Sequence, residues 1–320
     1  MRVNRRFLYW GIFLVAVGGV LVTTDAGALD AGSIAGALRL WPVAIVAIGV
    51  GIVLRRTRFG LAAGMLAAAA PGLLIGGGLA ALPQIAVDCG SDEGVAAVGA
   101  REGVFDGPAM IAVSAGCGSL VVDTAPGDAW HLESGSTSDR APAISASSRS
   151  LAIDAHTGAG LFGHSLDRDD WRLTLPTSVI DELSFVVNAG HGEIDLAGAR
   201  IDHLDITTNA AQAGIDLSGA DVARLSGSVN AGMVTIDMPG ASDLVGSVEV
   251  NAGALHVCAP SGLGLSVRHD GAVGGISVNG RHETDSVWES PNYASALYRA
   301  DLEVDVNFGN VEINPIGGCK

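Results

Sequence analysis

Residues 185–259 read FVVNAGHGEIDLAGARIDHLDITTNAAQAGIDLSGADVARLSGSVNAGMVTIDMPGASDLVGSVEVNAGALHVCA, and this stretch decides the fold. An asparagine recurs in it every 21 residues, at Asn188, Asn209, Asn230 and Asn251. Apolar residues occupy alternate positions on both sides of each asparagine, which predicts two short strands per repeat and not a helix. Three of the four asparagines are followed by Ala-Gly, and Asn and Gly are residue types that accept a tight corner.

A two-strand unit of this size cannot bury its apolar face alone, so successive units must stack. We therefore predict an all-β, β-solenoid-like domain of stacked sheets over residues 109–316, in which each strand pairs with its equivalent in the next coil. The aligned asparagines are predicted to form a structural amide ladder along one corner. Aromatic residues concentrate at the two ends of this region and are predicted to form caps: Trp130, Trp171, Trp288 and Tyr293.

The charge distribution separates a membrane region from an acidic domain. Residues 1–87 hold seven Arg and two Asp, a net charge of +5, whereas residues 88–320 hold 11 Arg or Lys and 32 Asp or Glu, a net charge of −21. Long uncharged stretches in the first region predict three transmembrane helices, and residues 88–108 are predicted to be a linker. The predicted spans are residues 7–24, 38–54 and 59–82. The third span contains Gly-x-x-x-Gly spacings that allow close helix packing, including Gly72 and Gly76.

The basic residues predict the orientation of these spans. Two clusters of arginines flank them, one before the first span and one between the second and third, and such clusters stay on the cytoplasmic side. Three spans then place the β domain outside the cytoplasmic membrane. An alternative reading takes residues 1–28 as a cleaved signal peptide ending in Ala26-Gly-Ala28, which leaves the domain on the same side, whereas a miscounted span would move it to the cytoplasm.

All four cysteines lie in the acidic region, which permits disulfides in an oxidising compartment. Their spacings match no zinc-binding pattern, so structural cysteines are favoured over a metal or redox site, and the pairing stays open. The four are Cys89, Cys117, Cys258 and Cys319.

Two stretches of the predicted membrane region carry a resemblance: Arg6-Phe-Leu-Tyr-Trp-Gly-Ile-Phe-Leu-Val-Ala-Val-Gly-Gly-Val-Leu21 and Leu40-Trp-Pro-Val-Ala-Ile-Val-Ala-Ile-Gly-Val-Gly-Ile-Val-Leu-Arg55. They resemble the membrane region of LiaF-like and PspC-related bacterial envelope-stress proteins. The strands with Asn-Ala-Gly corners look like the toastrack, or adhesin-type, domain that commonly follows such a region. The resemblance implies a sensor or modulator that acts with a membrane histidine kinase or other envelope-stress machinery, and it carries over no catalytic residue.

Several motifs resemble functional sites but are interpreted as structural. Gly158-Ala-Gly160-Leu-Phe-Gly163 matches a dinucleotide fingerprint but lacks the required strand–helix context. The acidic run at Asp167, Asp169 and Asp170 lacks the remaining ligands of a calcium loop. The repeats also align Asp195, Asp216 and Asp237 in an outward column, where neighbouring carboxylates repel by about 1 kcal/mol in water and a cation or basic partner would be favoured. His191 and His256 are expected on one surface patch.

These observations predict a non-enzymatic integral membrane protein, with no catalytic, cofactor or metal site, that senses or modulates envelope stress. Its expected partners are the bilayer and either a membrane protein, such as a sensor histidine kinase, or an envelope component, and an oligomer is compatible with the pattern. Nucleic acid is disfavoured because the domain is strongly acidic. The first alternative is a surface adhesin or assembly module. The second is a polysaccharide-acting β-helix enzyme, which would use the Asp column with Arg200 or Arg224.

Overall fold

The computed structural model describes residues 95–155, 168–283, 286–316 and 318–319, together with Cys89 and a few isolated N-terminal residues (10–12, 14–16, 19, 65 and 69). The three predicted spans therefore lie almost entirely outside the described residues. No helix within the described part of the chain combines the length and apolar character needed to cross a membrane. The contacts divide the chain into two compact units, one of residues 1–87 and 158–165 and the other of residues 88–157 and 166–320. All described strands belong to the second unit.

This unit is built on one 15-stranded sheet. The strands are β1 (Ala96–Val104), β2 (Ala109–Ala125), β3 (Ala129–Ser136), β4 (Ala143–Ala146), β5 (Ser150–Asp154), β6 (Arg168–Pro176), β7 (Val179–Asp195), β8 (Arg200–Asp216), β9 (Asp221–Val229), β10 (Gly232–Asp237), β11 (Leu244–Cys258), β12 (Gly264–Val278), β13 (Arg281–Glu283), β14 (Val287–Glu289) and β15 (Arg299–Ile313). A short 3-10 helix covers Tyr293–Ser295. The main path through the sheet is β1-β3-β6-β2-β7-β8-β10-β11-β15-β12-β13. Off this path, β5 pairs with β2 and β4 with β5, β9 lies between β8 and β11, and β14 pairs with β12.

The predicted 21-residue stacking is confirmed, but most repeats contain one long bent strand where two short ones were expected. In β7 and β8 the parallel ladder runs from Val179↔Arg200 to Asp195↔Asp216, with equivalent residues of successive repeats side by side. The register passes over the asparagine, from Val187↔Thr208 to Ala189↔Ala210, and most strands continue through this corner. Only the third repeat is interrupted there, which separates β9 from β10.

Each bent strand has two arms, and both contribute to a single core. We call the part before the asparagine the first arm and the part after it the second arm. In β7, Leu183 and Phe185 on the first arm and Ile194 on the second arm are buried, and all three belong to the same hydrophobic cluster. The residues that alternate with the buried positions, such as Ser184, Val186 and Glu193, are half-buried or exposed, as the alternation predicts.

The predicted amide ladder is confirmed along the corner. The Nδ2 of Asn209 donates to the Oδ1 of Asn188 at 2.7 Å, Asn230 donates to Asn209 at 2.8 Å, and Asn251 donates to Asn230 at 2.9 Å. A fifth member, Asn307, continues the ladder by donating to Asn251 at 2.8 Å. The first member, Asn188, donates to the backbone carbonyl of Ala115, so the ladder is anchored to β2.

Glycine is required two residues after the ladder asparagine in some coils. Gly190 and Gly232 have φ angles of +108° and +117°. A Cβ at Gly190 would overlap the carbonyl oxygen of Gly118, and one at Gly232 would overlap that of Ala211. The coils approach so closely at the corner that a side chain would force them apart.

The order of coils departs from the order of the chain. After β12 the chain forms β13, β14 and the 3-10 helix, and it then returns as β15 between β11 and β12. This insertion brings Asn307 beside Asn251, 56 residues away in sequence. A search of the sequence for a 21-residue period therefore finds the coils up to Asn251 and misses the coil that contains Asn307.

The predicted aromatic caps are confirmed at both ends of the sheet. Trp130 on β3 and Trp171 on β6 are buried at one end. Trp288 on β14 packs against the core at the other end, next to the segment that contains Tyr293. Short antiparallel strands stand beyond the long ones: β4 pairs with the short strand β5, and β13 and β14 pair with the long strand β12.

Part of the predicted linker, residues 88–108, belongs to the sheet. Ala96–Val104 forms β1, which pairs antiparallel with β3 along most of its length. Cys89 forms a disulfide with Cys117 of β2, with Cα atoms 5.0 Å apart. The second disulfide joins Cys258 to Cys319, with Cα atoms 6.0 Å apart. Both distances lie in the usual range, and together they assign the pairing that the sequence left open.

Candidate functional site

The Asp column lies on the outer face of the second arm. Asp195, Asp216 and Asp237 occupy equivalent positions on adjacent parallel strands, as the repeat predicts. Asp195 and Asp216 each accept a hydrogen bond at 2.9 Å from the backbone N–H two residues further on, so both carboxylates also hold the turn that ends the coil. The column is therefore part of the structure of the turns.

The basic residues of the enzymatic alternative lie on the other arm. Arg224 stands on the first arm, in register with His203, and Arg200 begins the first arm of β8. The Asp column ends the second arm. The structure therefore does not bring Arg200 or Arg224 into one groove with the Asp column, as the polysaccharide-acting alternative needs.

A hollow of about 590 Å³ opens on the outer face of the second arm, over β7, β8 and β10. Its floor contains Gly214, where a Cβ would meet no atom within 4 Å. His191 and Glu193 stand on one side of Gly214, and Met233 and Thr235 stand on the other. The side chains are polar or flexible, and the hollow is open to solvent.

The two repeat histidines share this outer face but not one site. His191 lies 3.2 Å from Glu193, and His256 lies 3.8 Å from Glu312. They stand on β7 and β11, which are separated by β8 and β10. Three strand spacings place them roughly 14 Å apart, too far to act on one small ligand atom.

One group of donor atoms converges as in a metal site. Single ligand atoms of Asp237, Cys258 and Cys319 lie within 4.8 Å of one another. The two sulfurs are joined in a disulfide, however, and metal ions bind the thiolate form of cysteine. The geometry therefore fits a disulfide that fastens the C-terminal segment to β11 beside the Asp column.

The structure also brings together a serine, a histidine and an aspartate that the sequence analysis did not single out. On the outer face of the first arm, the Ser226 hydroxyl donates to Asp205 Oδ2 at 2.5 Å and lies 3.3 Å from His203 Nε2. A hydroxyl has one proton to donate, so His203 must be the donor in its contact with Ser226. A nucleophilic serine needs the reverse arrangement, in which histidine accepts the serine proton. The cluster is therefore a polar surface network.

The remaining motifs do not form sites in the described part of the chain. Asp170 accepts two hydrogen bonds from the Arg168 guanidinium, at 3.0 and 3.1 Å, and one from the backbone N–H of Ser119 at 3.0 Å. This carboxylate acts as the partner of a buried arginine. Asp167 and the Gly158–Gly163 motif lie outside the described residues.

Residues 137–257 match the family model described as "N-terminal domain of toast_rack, DUF2154". The β domain is therefore of the toastrack type, as the Asn-Ala-Gly corners predict. No curated protein matches the chain.

Three solved structures of bacterial proteins resemble the fold at low sequence identity. One, described as a "putative cell adhesion protein" from Clostridium sporogenes, is 15% identical, with 68% of this chain and 99% of that chain covered and a TM-score of 0.44. A "putative adhesin" from Bacteroides fragilis is 9% identical, with 67% and 95% covered and a TM-score of 0.32. Another from Parabacteroides merdae is 12% identical, with 70% and 97% covered and a TM-score of 0.29.

Proposed function

We propose that this chain is a membrane-anchored, non-enzymatic adhesion module whose toastrack domain binds components of the cell envelope outside the cytoplasmic membrane. The observation that carries the proposal is the parallel stacking of equivalent strands, which displays equivalent outward side chains in straight rows across neighbouring coils. Such rows offer many weak, regularly spaced contacts to an extended partner. The amide ladder, the caps and the disulfides hold them rigid, which lowers the entropic cost of binding.

The arrangement of charged groups favours binding over catalysis. The carboxylate column and the arginines lie on different arms, and the Ser226 proton is donated to Asp205. The Asp195 and Asp216 carboxylates hold turns. These carboxylates and this hydroxyl stabilise the fold. In the proposal, the outer faces therefore bind a partner and do not catalyse a reaction.

Two features support the extracytoplasmic location. All four cysteines are paired, and stable disulfides are typical of oxidising compartments. The arginine clusters that flank the predicted spans favour the same side for the domain.

The function is tested by sedimentation of isolated cell envelopes with the purified full-length chain in mild detergent. We expect saturable binding that is lost when residues 109–316 are deleted, because the deleted part contains the outer faces. Equal sedimentation of the two proteins would refute the adhesion proposal.

The location is tested separately with an Ala223→Cys variant, which adds a thiol at an exposed position of β9 and leaves both disulfides intact. A membrane-impermeant maleimide is expected to label this thiol in intact cells. Labelling only after lysis, with an external control site labelled normally, would place the domain in the cytoplasm.

Envelope-stress signalling is the second candidate, and the resemblance of residues 6–21 and 40–55 to LiaF-like and PspC-related proteins favours it. In this case a ligand on the β domain would alter how the predicted spans pack against a membrane partner such as a sensor kinase. Replacement of Gly72 and Gly76 by Leu is then expected to reduce co-purification of that partner. Unchanged co-purification would contradict helix packing through these glycines.

A further inference from the structure

The corner of the coils forms an exposed strip that we call the amide ridge. It consists of the five ladder asparagines and the residue after each of them: Asn188, Asn209, Asn230, Asn251, Asn307, Ala189, Ala210, Ala231, Ala252 and Phe308. Neighbouring coils are about 4.8 Å apart, so the ridge is a row of evenly spaced amides beside a shelf of small side chains.

The ladder leaves hydrogen-bonding capacity on this row. An asparagine amide has two N–H donors and an oxygen with two lone pairs. Within the ladder, Asn209 and Asn230 each donate one N–H bond to the preceding amide and accept one from the next. Asn230 also accepts a hydrogen bond from the Ser228 hydroxyl at 3.4 Å. Among the described residues, neither Asn209 nor Asn230 uses its second N–H in a further bond, and the half-buried side chains reach solvent.

An aromatic residue stands at one end of the alanine shelf. Phe308 follows Asn307 and lies in register with Ala252 on β11. Its side chain is 65% exposed. In a chain with 5% aromatic residues, this ring on a rigid sheet corner offers an apolar face to a flat ring of a ligand.

The middle of the ridge is also free of charged side chains, although the region of residues 88–320 carries a net charge of −21. The nearest outward residues on β8 and its neighbours β9 and β10 are Thr207 and Ser228 on the first arm and Gln212 and Met233 on the second. An anionic polymer would be repelled by the surrounding carboxylates, and a cationic one would find its partners elsewhere on the surface. The class of polymer that fits a surface of amides, hydroxyls and an aromatic face is therefore a neutral chain rich in hydroxyl groups.

We infer that the amide ridge binds a neutral polysaccharide of the cell envelope, with sugar hydroxyls on the second N–H groups of Asn209 and Asn230 and one sugar ring against Phe308. This inference rests on the proposed adhesion function and names the ligand class. The polysaccharide would lie across the strands, so that successive sugars meet successive coils.

The test measures binding of cellopentaose and chitopentaose to the full-length chain in detergent by calorimetry. Phe308→Ala is expected to weaken binding roughly fivefold, as the loss of one stacking contact implies. Ala210→Arg, which puts a long charged side chain on the exposed shelf, is expected to weaken it at least roughly tenfold. Val245→Ala and Ala223→Arg are the matched controls, because both residues are exposed on the first arm away from the ridge.

Failure of this inference can be told apart from failure of the adhesion proposal. If Ala210→Arg and Ala223→Arg bind both oligosaccharides equally well, the ridge is not the site. The same conclusion follows if neither oligosaccharide binds, or if polylysine or dextran sulfate binds more tightly than both, while envelopes still sediment the unaltered chain. Loss of envelope binding itself would refute the broader function.

Discussion

Gly190→Ala tests the claim that the close approach of the coils at the corner is essential for the fold. Gly190 has a φ of +108°, which disfavours any residue with a Cβ. The added methyl group would also overlap the carbonyl oxygen of Gly118 in the neighbouring coil. Relief of that overlap requires β2 and β7 to separate at a point where their ladder is continuous from Cys117↔Ala189 to Val122↔Ile194.

The expected loss of stability combines two contributions. A residue held in an unfavourable backbone region costs about 1–3 kcal/mol. One or two weakened ladder hydrogen bonds add about 1 kcal/mol each. We therefore expect Gly190→Ala to lower the free energy of unfolding by about 2–5 kcal/mol. For a domain of this size, this corresponds to a fall of roughly 4–20 °C in Tm.

The measurement is thermal unfolding of the full-length chain, followed by circular dichroism of the β structure. Gly214→Ala is the matched control, because Gly214 lies in the same sheet and no atom is within 4 Å of its would-be Cβ. This control should change the free energy of unfolding by less than about 1 kcal/mol. Equal Tm values for the two variants would refute the reasoning about the corner.

Three further predictions concern single side chains. Asn230→Ala removes the central member of the ladder and two of its hydrogen bonds. It should lower the free energy of unfolding, measured in urea, by about 1–2 kcal/mol. An unchanged urea midpoint would show that water fully replaces the ladder hydrogen bonds. Thr208→Val removes a fully buried hydroxyl that lacks a hydrogen-bond partner. It should raise Tm, because a buried unpaired hydroxyl is unfavourable and the other repeats carry Val at this position. A lower Tm would contradict the assignment of an unpaired hydroxyl. The hydrogen bond from Tyr293 to Asp301, at 2.6 Å, raises the pKa of Tyr293 above its usual value of 10. The stability that this hydrogen bond adds is therefore present below pH 10 and is lost as the pH rises through the folded-state pKa. Absorbance titration should show a late transition for Tyr293, and Asp301→Ala should bring that transition to lower pH.

The sequence by itself was sufficient for everything that depends on local period. A side-chain period of two within each arm and a repeat of 21 residues led to the stacked strands, the corner and the first four members of the amide ladder. The physical reason is that parallel stacking places equivalent residues side by side, so the sequence alignment of the repeats is also their spatial alignment. The Asp column and the aromatic caps followed from the same argument.

The tertiary structure decided the contacts that are not periodic. β15 enters between β11 and β12, so Asn307 joins the ladder from 56 residues away. The related pattern Asn307-Phe-Gly309 was a signal for it, but not one that a fixed period could find. The two disulfides, the strand within the predicted linker and the Ser226 network likewise depend on where distant segments meet. Such encounters are determined by the packing of the whole core, because a local pattern specifies which face is buried but not which segment covers it.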